Sequence, residues 1–241
     1  MTRRCRGRLA GLLAAAVLFA GLSGCTNRGD KGGAANPAEL VKKLKDSDPK
    51  VRAKAADDLR LLGPETAKPA ISDFVAMLGD ADETCRLRAS EVLGSLGEDA
   101  YLPLMEAAKS KDANVRAMSW MGITGLEAAV YQKHQAEYAK ALAVALKDEN
   151  VKVREGAANS FHKHNTATPD AYPVVVAALD DNDNDHVLCY LISGMRYIPD
   201  DEQKKILGAI PRLRKLAADG QGEVKGLAGS LLLNLEKIQK Q

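Results

Sequence analysis

Apolar and polar positions recur along the chain in a block that opens at Asp46-Ser47-Asp48-Pro49-Lys50-Val51-Arg52 and runs on to Leu59. Aligned on Arg52, the equivalent positions are Arg86, Arg116, Arg154, Leu188 and Lys225, at intervals of 34, 30, 38, 34 and 37 residues. Such spacing marks an array of modules. The residue before each anchor is Val51, Cys85, Val115, Val153, Val187 or Val224, and the one seven later is Leu59, Leu93, Ile123, Phe161, Met195 or Leu232. Between these apolar columns, three after the anchor, lies a mostly small one: Ala55, Ala89, Ser119, Ala157, Leu191 and Ala228. Apolar residues at this period predict one amphipathic helix per repeat, packed closely through its small face.

A first helix precedes each of these. Asn36 as N-cap and Pro37 at the first helical position predict one over Pro37 to Lys45, paired with a second helix from Val51 to Leu62 that Gly63-Pro64 ends. Later first helices are expected near Thr66 to Leu78, Tyr101 to Lys109, Ala136 to Lys147, Ala171 to Leu179 and Asp201 to Ala218. Pro69, Pro103, Pro173 and Pro211 fall early or midway in them, where proline kinks a helix, whereas the repeat cores of the second helices have none. No bounded run alternates apolar with polar residues, so no sheet is expected and the fold class is all-α. Forty-six per cent hydrophobic residues with only 4% aromatics suits thin two-layer packing by Ala and Leu.

Asp46, Asp80, Asp148 and Asp219 stand six residues before an anchor, where a turn feeds the helix start. Their carboxylates are expected to accept free backbone N–H groups there and to pair with the anchor cations. Ser110 and Asn182 interrupt the Asp column and Leu188 the Arg column, so the pairing cannot run unbroken. Asp46, Arg52, Asp80, Arg86, Arg116, Asp148 and Arg154 are the predicted structural anchors. The spacing, the turn Asp, the Val-Arg pair and the following alanines resemble HEAT-type helical repeats, particularly the short variety named after phycobilin lyases, over roughly residues 37–241. The resemblance implies a right-handed α-solenoid of about six helix pairs whose second helices line a concave face.

The N-terminus reads differently. Arg3, Arg4, Arg6 and Arg8 precede an apolar run from Leu9 to Leu22, shorter than the roughly 20 residues a spanning helix needs. It ends at Leu22-Ser23-Gly24-Cys25, which resembles the lipobox of bacterial lipoproteins. That implies a signal peptide over 1–24, a diacylated Cys25 and a polar, Gly-rich tether over 25–36 that leads into the repeats at 37–241. A short membrane helix with an incidental Cys is the alternative. Thr26, rather than Asp, after the Cys resembles cargo sent to the outer membrane, facing the periplasm. Without its four leader arginines the chain's 34 basic residues fall to 30 against 32 acidic ones, about −2 in all. That balance implies no nucleic-acid partner.

Candidate chemistry is sparse. Cys85 and Cys189 lie three repeats apart, about 30 Å at roughly 10 Å per stacked helix, too far for a disulfide. His162 and His164 are two residues apart, about 200° around a helix, whereas chelation from one helix wants a spacing of four. His164 falls in the column of Leu62, Leu96 and Leu126, a partly buried histidine with a local partner. His134 is read as lying in a loop. Asp181, Asp183 and Asp185 alternate as calcium ligands do, but His186 and Ile192 stand where the loop would need Gly and Glu. No phosphate loop, Gly-x-Ser-x-Gly elbow or His-Glu-x-x-His string occurs. The expected activity is therefore non-catalytic, with no cofactor.

One feature points to a partner. Positions two, five and nine after the anchor face away from the first layer and are mostly polar in the outer repeats, as with Lys54, Asp57, Arg88, Glu91 and Asn234. In the third and fifth repeats they include Met118, Met121, Tyr190 and Tyr197, with Trp120 on the flank. These side chains either form a groove for a protein or peptide of the cell envelope, or complete the core of irregular repeats. The expectation is a membrane-anchored interaction scaffold. The alternatives are a bilin-lyase-like or other HEAT-repeat enzyme or assembly factor, suggested by the family name alone, and a calcium-dependent envelope module.

Overall fold

The computed structural model describes residues 36–241. The predicted leader (1–24), the predicted lipid-bearing Cys25 and the tether up to residue 35 lie outside the described residues. Among those described, every regular element is a helix.

Each helix start has a local cause. Asp48, Asp82, Asp112, Asn150 and Asn184, four residues before successive anchors, are N-caps whose side chains accept a backbone N–H of the first turn. The six-before aspartates do something else: Asp46, Asp80 and Asp148 accept the N–H of Asp48, Asp82 and Asn150 and so shape the turn itself. The capping role expected of them belongs to the other column. Asp219 is the exposed last residue of its helix, and Lys225 reaches the Ala218 carbonyl instead, at 3.0 Å.

Six helix pairs follow among the described residues. The second helices are α2 (Pro49–Leu61), α5 (Glu83–Ser95), α7 (Ala113–Gly125), α10 (Val151–His164), α12 (Asp185–Arg196) and α14 (Gly222–Gln239). They begin up to three residues before the positions the periodicity marks. The first helices are α1 (Pro37–Lys43), α3 (Pro64–Ala67) with α4 (Ile71–Met77), α6 (Glu98–Ala107), α8 (Ala128–Lys133) with α9 (Gln135–Ala145), α11 (Tyr172–Asp181) and α13 (Ile210–Asp219). The single helix expected over Thr66 to Leu78 is broken by a 3-10 turn at Lys68–Ala70, where Pro69 has no N–H to give. That expected over Asp201 to Ala218 opens as a 3-10 stretch, Gln203–Ala209, and becomes α-helical only at Ile210-Pro211. Pro103 lies inside α6.

Consecutive second helices pack side by side along the whole array. Their spacing is set in part by glycine: a Cβ on Gly94 of α5 would lie 2.9 Å from the Gly122 carbonyl oxygen and 3.0 Å from the Gly125 Cα of α7. Backbone thus meets backbone, and a layer this tight is the inner, concave one. The first layer is looser: α4 packs on α6 and α9 on α11, but α6 and α9 scarcely touch. The 38-residue interval accounts for the gap. Its extra length forms α8, which pushes Tyr131 inward, where it stacks on His164 at 4.1 Å and lies edge-on to Tyr138 at 4.9 Å. One apolar core runs from Leu40 to Leu235.

Candidate functional site

Two arginines of the anchor column stitch repeat to repeat. Arg52 Nε and Nη2 donate to both oxygens of Asp80 in the next repeat, at 2.7 and 2.6 Å, while its Nη1 donates to the Asp46 and Ser47 carbonyls of its own turn. Arg116 closes on Asp148 in the same way, at 2.8 and 2.9 Å. Burial works against the charge on Asp80 and Asp148, but their arginines and a backbone N–H outweigh it and hold both carboxyls below the usual range. Arg86 and Arg154 donate to their own turn carbonyls. Ser110 and Asn182 stand where each would meet a carboxylate.

On the inner layer, Met118 and Met121 of α7 and Tyr190 of α12 line one shallow cavity of about 330 Å³ that crosses α10 over Gly156, with Leu87 of α5 at its edge. Gly156 is required there, because a Cβ would lie 2.9 Å from the Trp120 Cβ beneath it. Met121 is 42% exposed, whereas Met118 and Tyr190 are half-buried against the core. Glu83, Lys152, Glu155 and His186 rim the cavity, with His186 Nδ1 3.6 Å from Glu155. Beyond it, the His162 ring lies between Tyr190 and Tyr197, 6.0 and 6.1 Å from each. Tyr197 is 66% exposed. Burial lowers the His162 pKa, and its buried Nδ1 has no hydrogen-bond partner.

Four of the five predicted groove residues therefore lie on one face, and the fifth does not. Trp120 is 1% exposed and edge-on to Tyr138 at 6.1 Å, a core side chain. The signal was present in the sequence: Trp120 stands four after its anchor, in a column that also holds Ala56, Ser90, Ala158 and Ile192, all fully buried, and Gly229. His162 stands out in the sequence only as a possible metal ligand. It sits one position before the outward-facing ninth site, close enough to join the tyrosines.

Other expectations change with the geometry. Asp181 pairs with Lys147 at 3.0 Å and Asp183 with Arg212 at 3.4 Å, while Asp185 starts α12, so the three calcium candidates diverge. Among the described residues no group of three or more His, Cys, Asp or Glu side chains could hold a metal ion. His134 is not in a loop but joins α8 to α9. It lies between Glu98 at 2.8 Å and Glu137 at 3.4 Å and stacks on Tyr101. His164 is buried, 3.2 Å from the Thr124 carbonyl, and burial lowers its pKa. Cys85 is buried and its thiol donates to the Pro49 carbonyl at 3.2 Å. Burial pushes its pKa up, away from a reactive thiolate.

A second, larger opening lies in the outer layer. The gap between α6 and α9 is a cleft of about 810 Å³ walled by Leu102, Met105, Ala141 and Val144, with Trp120 and the Arg116–Asp148 pair in its floor.

Stacked helix pairs with a tight inner and a loose outer layer define an α-solenoid of the HEAT and armadillo type. The family model described as HEAT repeats matches residues 37–123. Among curated proteins no relative matches. An engineered protein is similar in fold, with a TM-score of 0.58 at 18% identity over 84% of this chain and 99% of that one. So is a designed armadillo repeat protein solved in complex with the peptide (KR)4, with a TM-score of 0.57 at 18% identity over 83% and 98%. Computationally designed armadillo repeat proteins for modular peptide recognition give 0.56 at 18% over 83% and 99%.

Proposed function

We propose that this chain is a non-catalytic scaffold that holds an extended peptide or a protein surface against its inner layer, in the envelope of a bacterium, tethered to the outer membrane by acyl chains on Cys25. The observation that carries the binding reading is the path from Met118 and Met121 over Gly156 to Tyr190, His162 and Tyr197. Polarizable sulfur and aromatic rings are left part-open on a layer whose other outward positions are mostly polar. Adaptable methionines and rigid tyrosines bind apolar side chains of a partner at low entropic cost. The designed armadillo proteins of similar fold bind peptides, which supports the mode of binding and leaves the partner open.

The test is crosslinking in the native envelope, comparing wild type with Tyr190→Ser/Tyr197→Ser. Lost capture with an unchanged melt supports the groove. A large drop in melting temperature with capture retained assigns the tyrosines to the core. The lipid anchor is tested separately: Cys25→Ala is expected to abolish labelling by radioactive palmitate and release the chain from membranes, and an unlabelled wild-type chain would refute it.

A further inference from the structure

The α6–α9 cleft takes no part in the inner groove and opens on the opposite layer. Its volume of about 810 Å³ lies in the range of ligand-binding cavities, about 300–1,000 Å³, and its walls are mostly apolar. Leu102 and Val144, 64% and 74% exposed, face water at its lips, although neither packs on a neighbouring outer helix there. Three acidic and three basic side chains line it, and four of the six are ion-paired. Glu106 is held by Lys109 at 2.8 Å, Asp148 by Arg116, and Glu137 lies 3.4 Å from His134. Lys140 is left over: among the described residues it pairs with no carboxylate, and it lines the cleft. One apolar slot with one cation outside any ion pair at its edge is complementary to a molecule with an apolar tail and a single anionic head.

We propose that the cleft binds a long-chain fatty acid, with its tail between Leu102, Met105 and Val144 above Trp120 and its carboxylate at Lys140 Nζ. This site is independent of the inner groove, so either can fail alone. Trp120 is the only tryptophan in the sequence and forms part of the cleft floor, which supplies the reporter. Dansyl-undecanoic acid titrated into the full-length chain is expected to give saturable energy transfer from Trp120 that excess oleate reverses. Transfer that never saturates, or that oleate leaves unchanged, overturns the proposal. Lys140→Gln, at an exposed position, is expected to weaken oleate about fivefold, the size of a part-exposed charge contact, and to leave oleyl alcohol unaffected. Equal loss for both, or for neither, overturns the assignment of the head group. Ala141→Leu narrows the slot and Leu102→Gln makes its lip polar. Binding unchanged in both overturns the cleft as the seat. Displacement of the probe by an amphipathic helical peptide but not by oleate would assign the slot to a partner helix and likewise overturn it.

Discussion

Arg52 and Arg116 reach across to the next repeat, whereas Arg86 and Arg154 do not, although all four stand in one sequence column and grip their own turns identically. Each Nη1 donates to two carbonyls just before its helix: Asp46 and Ser47, Asp80 and Ala81, Ser110 and Lys111, or Asp148 and Glu149. The difference lies in what the following repeat offers. Asp80 and Asp148 present two oxygens. Ser110 keeps the turn hydrogen bond, to the Asp112 N–H at 3.2 Å, but brings no charge. Asn182 turns inward, donating to the Ala178 and Leu146 carbonyls, and its Oδ1 is buried without a partner. The conserved geometry of the arginine is thus a property of one repeat, and the bridge between repeats is an addition that some interfaces omit.

That contrast sets the size of substitutions. Arg116→Met strands the largely buried Asp148 carboxylate and is expected to cost about 3 kcal/mol, read as a lower urea midpoint. Arg86→Met strands only carbonyls that water can reach, and about 1 kcal/mol is expected. Equal losses would mean that the carboxylate adds nothing. Asn182→Asp supplies the missing acid opposite Arg154 but removes two donors from buried carbonyls, so a loss of about 2 kcal/mol is expected despite the new charge pair. Ser110→Asp meets no such conflict and should bridge to Arg86, raising stability by about 1 kcal/mol in the same assay.

Acid separates the two kinds of interface further. Asp80 and Asp148 titrate below the usual carboxylate range in the folded chain, so the unfolded chain binds their protons more readily. Their contribution is complete above the unfolded value near 4 and is lost as pH falls through the lower folded value. The stability difference between wild type and Arg52→Met/Arg116→Met should therefore shrink below about pH 4. His162 and His164, lowered by burial, act earlier. They favour the fold above their ordinary value of about 6.5 and withdraw that support as pH drops below it. A thermal melt series from pH 7 to 5 is expected to show this shallow first decline, reduced in His164→Gln.

The array was legible because its apolar columns hold across repeats of unequal length, and the capping column was legible too, in Asp48, Asp82, Asp112, Asn150 and Asn184. The acids two residues earlier are more conspicuous, but they shape the turn rather than cap the helix. What one sequence could not reveal was distance. Nothing in a column of arginines says whether the carboxylate lies within the repeat or in the next, and the answer is the next. Trp120 reads as a surface residue because a side chain of its size is unusual in a mostly small column, and it is accommodated beside Tyr138 of α9 and against Gly156 of α10. The outer cleft was hidden because the 38-residue interval announces an insertion but not which helices it parts.

Where Gly94 and Gly125 meet with no side chain between them, the inner edge of the slab is a fulcrum. It cannot be compressed, and separating it would break a direct backbone-to-backbone contact. Flexing of the array is therefore displaced outward, to the seam at which α6 and α9 already stand apart. Whatever wedges itself into that seam stiffens the whole arc, and whatever leaves it returns the slack.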